Sequence, residues 1–522
     1  MLNSRSIQGI LVLIVGTFLA IWLGLSIVTN QTETILQVLA GGVLTACLFL
    51  GRRIWLLLPF LGSIELSLRI PGQPSTLLLA QLLVLGFSLL LLLMRKLPFR
   101  LHITELECWL VILTMTVLQA YLRNPVGLNL FGGANVGGKP YVIFAIGILV
   151  ALLLSGLKVP LPELKSIVRW SILGGLINFG VGIASHFIPA IAFWTGGSYV
   201  NSEEVNYENA GVAIDANAAT RIDTLTIASR NVALWVSSFI SPLKACFRPL
   251  WLPLVLFTII GAAYSGYRSS VITVGTIYLI GLAYRGGVGS ILFAGLGGAA
   301  AIAMLAVINL ILPLPPNVQR GLSFMPGTWE ERYTADATGS TDWRIEIWQE
   351  ALLSDRWIKN KWVGDGLGFS AHELASQVGG RDGNRLGISG FDAHRETILA
   401  NGDYHSTLVS GVRTAGVLGT FVLVIATFRL AVHAHRLIRR HRGDEYYPLC
   451  LFVGIPLVAA PFWLMIGSNT FGQVASTLIL GIAMTRLLEN NLPVQELLLE
   501  EAPRAAYRAP RNRSFSANTA AS

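Results

Sequence analysis

Long apolar runs separated by short basic loops set the pattern of this chain. A membrane span needs roughly 20 mainly apolar residues. Runs of about that kind recur at 7–29, 32–50, 54–70, 75–94, 104–122, 140–156, 166–195, 229–244, 249–263, 268–284, 289–312, 405–428, 446–467 and 470–488. The pattern predicts an all-α polytopic membrane protein with about 12–14 transmembrane helices, the lower figure holding if a short pair is re-entrant. Polar residues collect in few places. The largest is 313–404, a loop too long to be a mere connection, which is expected to contain short helices. Smaller polar stretches lie at 123–139, which is glycine-rich, at 197–228 and at Ser265–Ser270. Four parts follow: N-terminal helices over 1–312, the large loop over 313–404, three closing helices over 405–489, and an Ala/Arg/Ser-rich tail over 490–522 that is expected to be disordered.

Charge gives this pattern a direction. With the first residues in the cytoplasm and the spans alternating, the inner loops carry Arg52 and Arg53; Arg95, Lys96 and Arg100; Lys158, Lys165 and Arg169; Lys244 and Arg248; Arg285; and Arg436, Arg439, Arg440 and Arg442. Short loops rich in Lys and Arg stay inside. Loop 313–404 is therefore predicted to be periplasmic and both chain ends cytoplasmic. The net charge of +9 then reads as an orientation signal toward anionic lipid headgroups, not as a nucleic-acid footprint. Charged residues are 13% of the 522, about half the usual share, which excludes a soluble globular enzyme and a disordered chain. Cys47, Cys108, Cys246 and Cys450 lie far apart in or beside apolar runs, with no CxxC spacing. They are expected to be buried small hydrophobes.

Within the long loop, Pro313, Pro315 and Pro316 end the preceding helix. Residues 340–353 read as an amphipathic helix, with Trp343, Ile347 and Ala351 at i, i+4 and i+8 and Thr341 or Asp342 as its cap. Its tryptophans suggest a place at the membrane surface. Gly364, Gly366 and Gly368 form a glycine turn, and Ser370-Ala371-His372-Glu373 has capping-box spacing. His372, His394 and His405 share the loop with Asp392 and Asp403, yet no HxH, HExxH or CxxC spacing organises them. No metal or other cofactor is expected.

At the exit of the loop, His405-Ser406 is followed after nine residues by Gly416-Val417-Leu418-Gly419-Thr420. Upstream stand Asp342-Trp343-Arg344, Trp348 and Gly364-x-Gly366-x-Gly368. Over residues 260–430 this resembles the O-antigen ligase family, whose signature is His, then Asn, Ser or Gln, nine residues, and Gly-x-x-Gly-Thr. The wider superfamily includes O-antigen polymerases and protein O-oligosaccharyltransferases. Trp343 stands where the family often has glycine. The resemblance implies transfer of a glycan from a polyprenyl-pyrophosphate-linked donor to a hydroxyl of a glycolipid or glycan acceptor. The reaction would occur at the periplasmic face of a bacterial inner membrane, in lipopolysaccharide or surface polysaccharide synthesis. Membrane lipid would surround the protein, and neither nucleic acid nor a cofactor would take part. The resemblance also implies His405 as base or acceptor-orienting residue and Arg344 as a holder of the pyrophosphate; Arg268, in a short hydroxyl-rich outer turn, and with it Arg221 and Arg413, are candidates for the same task from their positions.

These residue types suit that chemistry. A departing diphosphate gathers negative charge, which fixed cations stabilise, and the planar fork of arginine binds phosphate oxygens in pairs. Histidine titrates nearest neutral pH and can take the proton of the hydroxyl. Each residue also has a plainer reading. His405 can be an interfacial residue opening a span. Arg413, about two turns below it, can hold a structural ion pair. Arg268 can snorkel to the interface, Arg221 can pair with Asp223, and Arg344 can pair with Glu346 or Glu350. Gly416 and Gly419 can serve close helix packing. Glu65 and Arg69, at i and i+4, suggest an internal salt bridge. Three functions remain open: a ligase, a polymerase that joins repeat units, and a transporter of polysaccharide or lipid. The last predicts ionisable groups near mid-membrane, whereas the charges here cluster at the outer ends.

Overall fold

The computed structural model describes residues 41–42, 45, 47–67, 73–127, 137–195, 221–370, 390–467 and 469–493. The run 7–29 and most of 32–50, the tail beyond 493, Arg69, and parts of the polar stretches 123–139 and 197–228 lie outside these residues. A short 3-10 turn, Gly51–Leu56, leads into α1 (Leu57–Gly62). Then come α2 (Thr76–Leu93), α3 (Glu105–Arg123), α4 (Lys139–Gly156), α5 (Ser166–Phe187), α6 (Asp223–Phe239), α7 (Leu252–Tyr264) and α8 (Arg268–Ile311). The long loop contributes α9 (Pro316–Leu322), α10 (Glu331–Leu353) and α11 (Gly390–Asn401). The chain closes with α12 (Thr407–Arg440), α13 (Tyr447–Ile466) and α14 (Phe471–Asn491). Among the described residues there are two isolated β-bridges and no strand.

Local chemistry sets the starts. Ser75 caps α2 by accepting the Leu78 N–H at 3.2 Å. Thr104 and Glu107 form a capping box on α3, in which Glu107 Oε2 accepts the Thr104 N–H at 2.8 Å. Among the described residues eight helices are long and apolar enough to cross a membrane, so the protein is an all-α polytopic membrane protein. α8 spans 44 residues, about 66 Å at the usual rise, twice the roughly 30 Å of a hydrocarbon core. It is broken at Gly287 (φ 71°), which accounts for the two separate runs in the sequence.

Three runs differ from expectation. α7 has 13 residues, and α6 starts at Asp223, ahead of the run at 229–244. α1 ends at Gly62, well short of residue 70, so Glu65 is not helical (φ 45°). Its ion pair is consequently with Arg230 of α6 and not with Arg69. Of the cysteines, Cys47 and Cys450 are buried, whereas Cys108 and Cys246 are exposed, and all four are free.

Of the most apolar stretch of α14, 67% is buried inside the protein, against none for α8. α14 is therefore central, packed on α4 and α12, while α8 presents Leu292, Phe293 and Leu296 outward. The helices alternate so that the basic segments meet at one end. Arg53 pairs with Glu163 at 2.8 Å, Lys165 with Glu445 at 2.6 Å, and Lys158 donates to Asn490 O at 2.7 Å. Starts of α12 and α14 meet at the opposite end, where the Phe471 N–H donates to Ser410 Oγ at 3.1 Å.

A buried ionic clamp ties the basic end. Arg486 of α14, 4% exposed, donates from Nε to Glu107 of α3, 1% exposed, at 2.7 Å. Its Nη1 reaches Glu489 at 2.8 Å and its Nη2 reaches His102 O at 3.2 Å. Arg429 of α12 bonds Glu105 of α3, and His433 Nδ1 lies 2.9 Å from Glu489. Removing one member leaves an unpaired buried charge. Arg486→Ala is expected to cost about 3–5 kcal/mol, read as a lower melting midpoint in detergent, whereas Glu107→Leu with Arg486→Met should recover most of it. Equal melting of Arg486→Ala and wild type would show that the clamp does not hold these helices.

Candidate active site

The site rests on a break in α12. At Gly416 the chain leaves helical geometry (φ 74°, ψ 177°). The break frees backbone groups on both sides, and inside a membrane protein these must be paired. Residues 361–366 of the long loop pair them. The Asp365 N–H donates to Arg413 O at 2.6 Å and the Gly366 N–H to Thr414 O at 3.0 Å. In return the Val417 N–H donates to Lys361 O at 2.8 Å and the Leu418 N–H to Trp362 O at 3.3 Å. A Cβ at Gly416 would collide with Trp362 O, and one at Gly364 (φ 78°) with the backbone of residues 414–416. Gly416 thus serves as a helix break and not as a helix-packing residue. Gly419 does pack closely, against Ala415 and Thr116.

Neighbouring helices fix the turn from its other side. Gln119 Nε2 donates to Val363 O at 2.6 Å, Arg123 Nη2 to Gly364 O at 2.6 Å and Asn124 Nδ2 to Asp365 O at 3.1 Å. The Tyr141 hydroxyl accepts the Leu367 N–H at 2.9 Å. Arg413 belongs to this unit. It is buried, its guanidinium lies 3.6 Å over the Phe369 ring, and Nη1 donates to Gly366 O at 3.3 Å. Gly402 leaves room for it, since a Cβ there would come within 2.8 Å of Arg413 Cδ. The charge of Arg413 is spent on bracing the turn and the loop exit.

α10 begins at Glu331, so neither Thr341 nor Asp342 is its cap. Its apolar stripe lies where the spacing predicts, but on protein and not on the membrane surface. Ile347 and Ala351 are fully buried with Trp357, Ile358, Leu399 and Tyr404, and Trp343 and Trp348 pack on the same cluster. Trp348 Nε1 donates to Tyr404 O at 2.7 Å. Glu350 takes Trp357 Nε1 at 2.9 Å and Arg395 Nη2 at 2.8 Å, and Arg395 also pairs with Glu346 at 3.4 Å. Both glutamates that could have neutralised Arg344 therefore have other cationic or donor partners.

His405 lies just before the cap residue Ser406, in left-handed backbone (φ 48°). That conformation is uncommon for a residue with a side chain. The imidazole lies 5.6 Å from the Trp343 ring at 49°. Tyr404 beside it is fully buried, its hydroxyl has no partner among the described residues, and burial pushes its phenol up to about 12. Arg344 follows Trp343. It is half-buried, its Nε has no partner, and it makes no ion pair or hydrogen bond among the described residues. Burial, and then the charge of Arg268, push its guanidinium below its ordinary value. Arginine stays charged regardless, so a half-buried guanidinium lies within reach of a like charge, an arrangement that an anion would relieve.

Arg268 opens α8 beside Tyr267, whose hydroxyl bonds Asp223 at the start of α6. Arg221 lies 5.5 Å over the Tyr267 ring, so its charge meets both that ring and Asp223. Arg320 of α9 acts on the same phenol; a Cβ at Gly321 would stand 2.7 Å from Ala263 O, which shows how closely α9 seats on the end of α7. Arg221 and Arg320 thus act on Tyr267, Arg268 follows it in the chain, Arg344 feels the charge of Arg268, and His405 lies beside Trp343. Arg320 was not anticipated; its one signal is a basic residue just after the proline run. The side chains of His372, Asp392 and His394, with the Ser370 capping box, lie outside the described residues. Among those described, no three His, Cys, Asp or Glu side chains are grouped to hold a metal ion.

Gly416→Ala forces left-handed backbone on a residue with a Cβ and drives it into Trp362. A loss of at least about 2 kcal/mol is expected, seen as a lower melting midpoint. Gly180→Ala, where a Cβ meets open space, should melt as wild type; equal behaviour of the two variants would contradict the interlock. No family model matches this chain, and no curated protein matches it.

Proposed function

We propose that the protein transfers a glycan from a polyprenyl-pyrophosphate carrier to an acceptor hydroxyl at the periplasmic face of a bacterial inner membrane, as an O-antigen ligase-like enzyme. The observation that carries this reading is Arg344, held beside Arg268 with no anionic partner among the described residues. Such a pair suits a multiply charged group that arrives with the substrate, and a diphosphate has that charge and the oxygens to engage two guanidinium forks. The basic segments that meet at the far end support a cytoplasmic placement there, which leaves the arginine end outside.

The chemistry then assigns each group a task. The acceptor oxygen attacks the sugar carbon that carries the diphosphate. The C–O bond to the diphosphate breaks, and its electron pair leaves on the diphosphate oxygen. Arg268 and Arg344, aided by Arg221 and Arg320, stabilise that charge as it develops. His405 accepts the proton of the attacking hydroxyl. Arg413 supports the site through the glycine turn. A polymerase would use the same site with a second lipid-linked repeat unit as acceptor, and a transporter would use none of this chemistry.

The test supplies lipid-linked glycan to the protein in nanodiscs. His405→Ala should lower turnover at least about 100-fold, and Arg344→Ala by about 100–1,000-fold, both with wild-type melting. A chain lengthened on the carrier would identify a polymerase, and transfer to a different acceptor a ligase. Unchanged turnover in well-folded His405→Ala would refute the assignment.

A further inference from the structure

Trp343 stands between the two halves of the proposed chemistry. Its ring faces the His405 imidazole at 5.6 Å between centroids. The next residue, Arg344, is the guanidinium that feels Arg268. Successive residues on a helix project about 100° apart, so α10 presents the indole to the base and the guanidinium to the other arginines. The Trp343 Nε1–H is buried, and neither it nor the Arg344 Nε–H has a partner among the described residues. Two donors from successive residues without acceptors, beside the Tyr404 hydroxyl that also has none among the described residues, are an expensive arrangement for a structural tryptophan alone. Trp348 and Trp357 in the same core both satisfy their indole N–H groups.

A sugar bonded to a diphosphate at Arg268 and Arg344, and attacked by a hydroxyl that gives its proton to His405, must lie where both groups reach one carbon. Trp343 is the residue that adjoins both. We propose that Trp343 is the platform for the first sugar of the donor, its ring covering the apolar C–H face of the sugar and its indole N–H becoming available to a ring hydroxyl as the sugar enters beside it. This rests on the diphosphate reading above. It makes Trp343 a specificity-determining residue: it selects what is attached to the diphosphate and leaves the diphosphate itself to the arginines.

The test compares two kinds of probe that differ only in the sugar. One is farnesyl pyrophosphate; the others are farnesyl-pyrophosphate-linked glucose, galactose and N-acetylglucosamine. Affinity is read from the ligand-dependent melting shift of the full-length protein in detergent. Trp343→Leu keeps apolar volume in the core and removes the ring. It should weaken the tightest sugar-bearing probe by about tenfold and leave farnesyl pyrophosphate within twofold. Trp343→Phe, which keeps a ring, should recover most of that loss. The proposal is overturned if Trp343→Leu weakens both kinds of probe equally or neither, or if wild type binds the sugar-bearing probes no better than farnesyl pyrophosphate. Failure of the diphosphate reading looks different: wild type then binds neither kind, and Arg344→Ala changes nothing.

Discussion

An interrupted helix inside a membrane cannot leave its backbone groups bare. At Gly416 this constraint joins two distant parts of the chain. The carbonyls of Arg413 and Thr414 and the N–H groups of Val417 and Leu418 are all satisfied by residues 361–366. The pairing draws the long loop onto the end of α12 and fixes the loop exit, where Gly402 admits Arg413 and His405 takes its left-handed turn. The loop core on α10 completes the frame through Trp348 and Tyr404. The position of His405 relative to Trp343 and Arg344 follows from these backbone bonds.

Charge is distributed in two ways along the molecule. At the basic end the charges are matched, with buried Arg486 meeting Glu107 and Glu489 and the more exposed Arg429 meeting Glu105. At the opposite end Arg344 has no carboxylate partner among the described residues although Glu346 and Glu350 share its helix, because Arg395 and Trp357 occupy them. The first arrangement stabilises the fold. The second is unfavourable by itself and becomes favourable when an anion enters. That contrast is the physical basis for placing function at one end.

Much of the fold was legible from hydropathy, because a span must be long and apolar whatever its sequence details. Span ends were less so: α1 stops at Gly62 and α7 is short, since packing and turns decide where a helix ends within an apolar run. The stripe of Trp343, Ile347 and Ala351 was legible, but not its partner, because an apolar face does not say whether lipid or protein covers it. His405, Arg268, Arg344 and Arg221 were singled out as polar groups at span ends and in outer loops; Arg344 feels Arg268, Arg221 lies over Tyr267, and His405 lies beside Trp343. The role of Arg413 was hidden, because only the fold brings Gly366 and Phe369 to it. Arg320 was hidden for the same reason, as its neighbour Tyr267 is distant in sequence.

The central claim is that the arginines at the start of α6, on α8, α9 and α10 form one anion site beside His405. An electron cryo-microscopy map of the protein in nanodiscs with a lipid-linked sugar diphosphate tests it most directly. The account predicts density for the diphosphate between Arg268 and Arg344, with the sugar carbon toward His405. Density for the diphosphate elsewhere, with Arg268 and Arg344 unengaged, would contradict it.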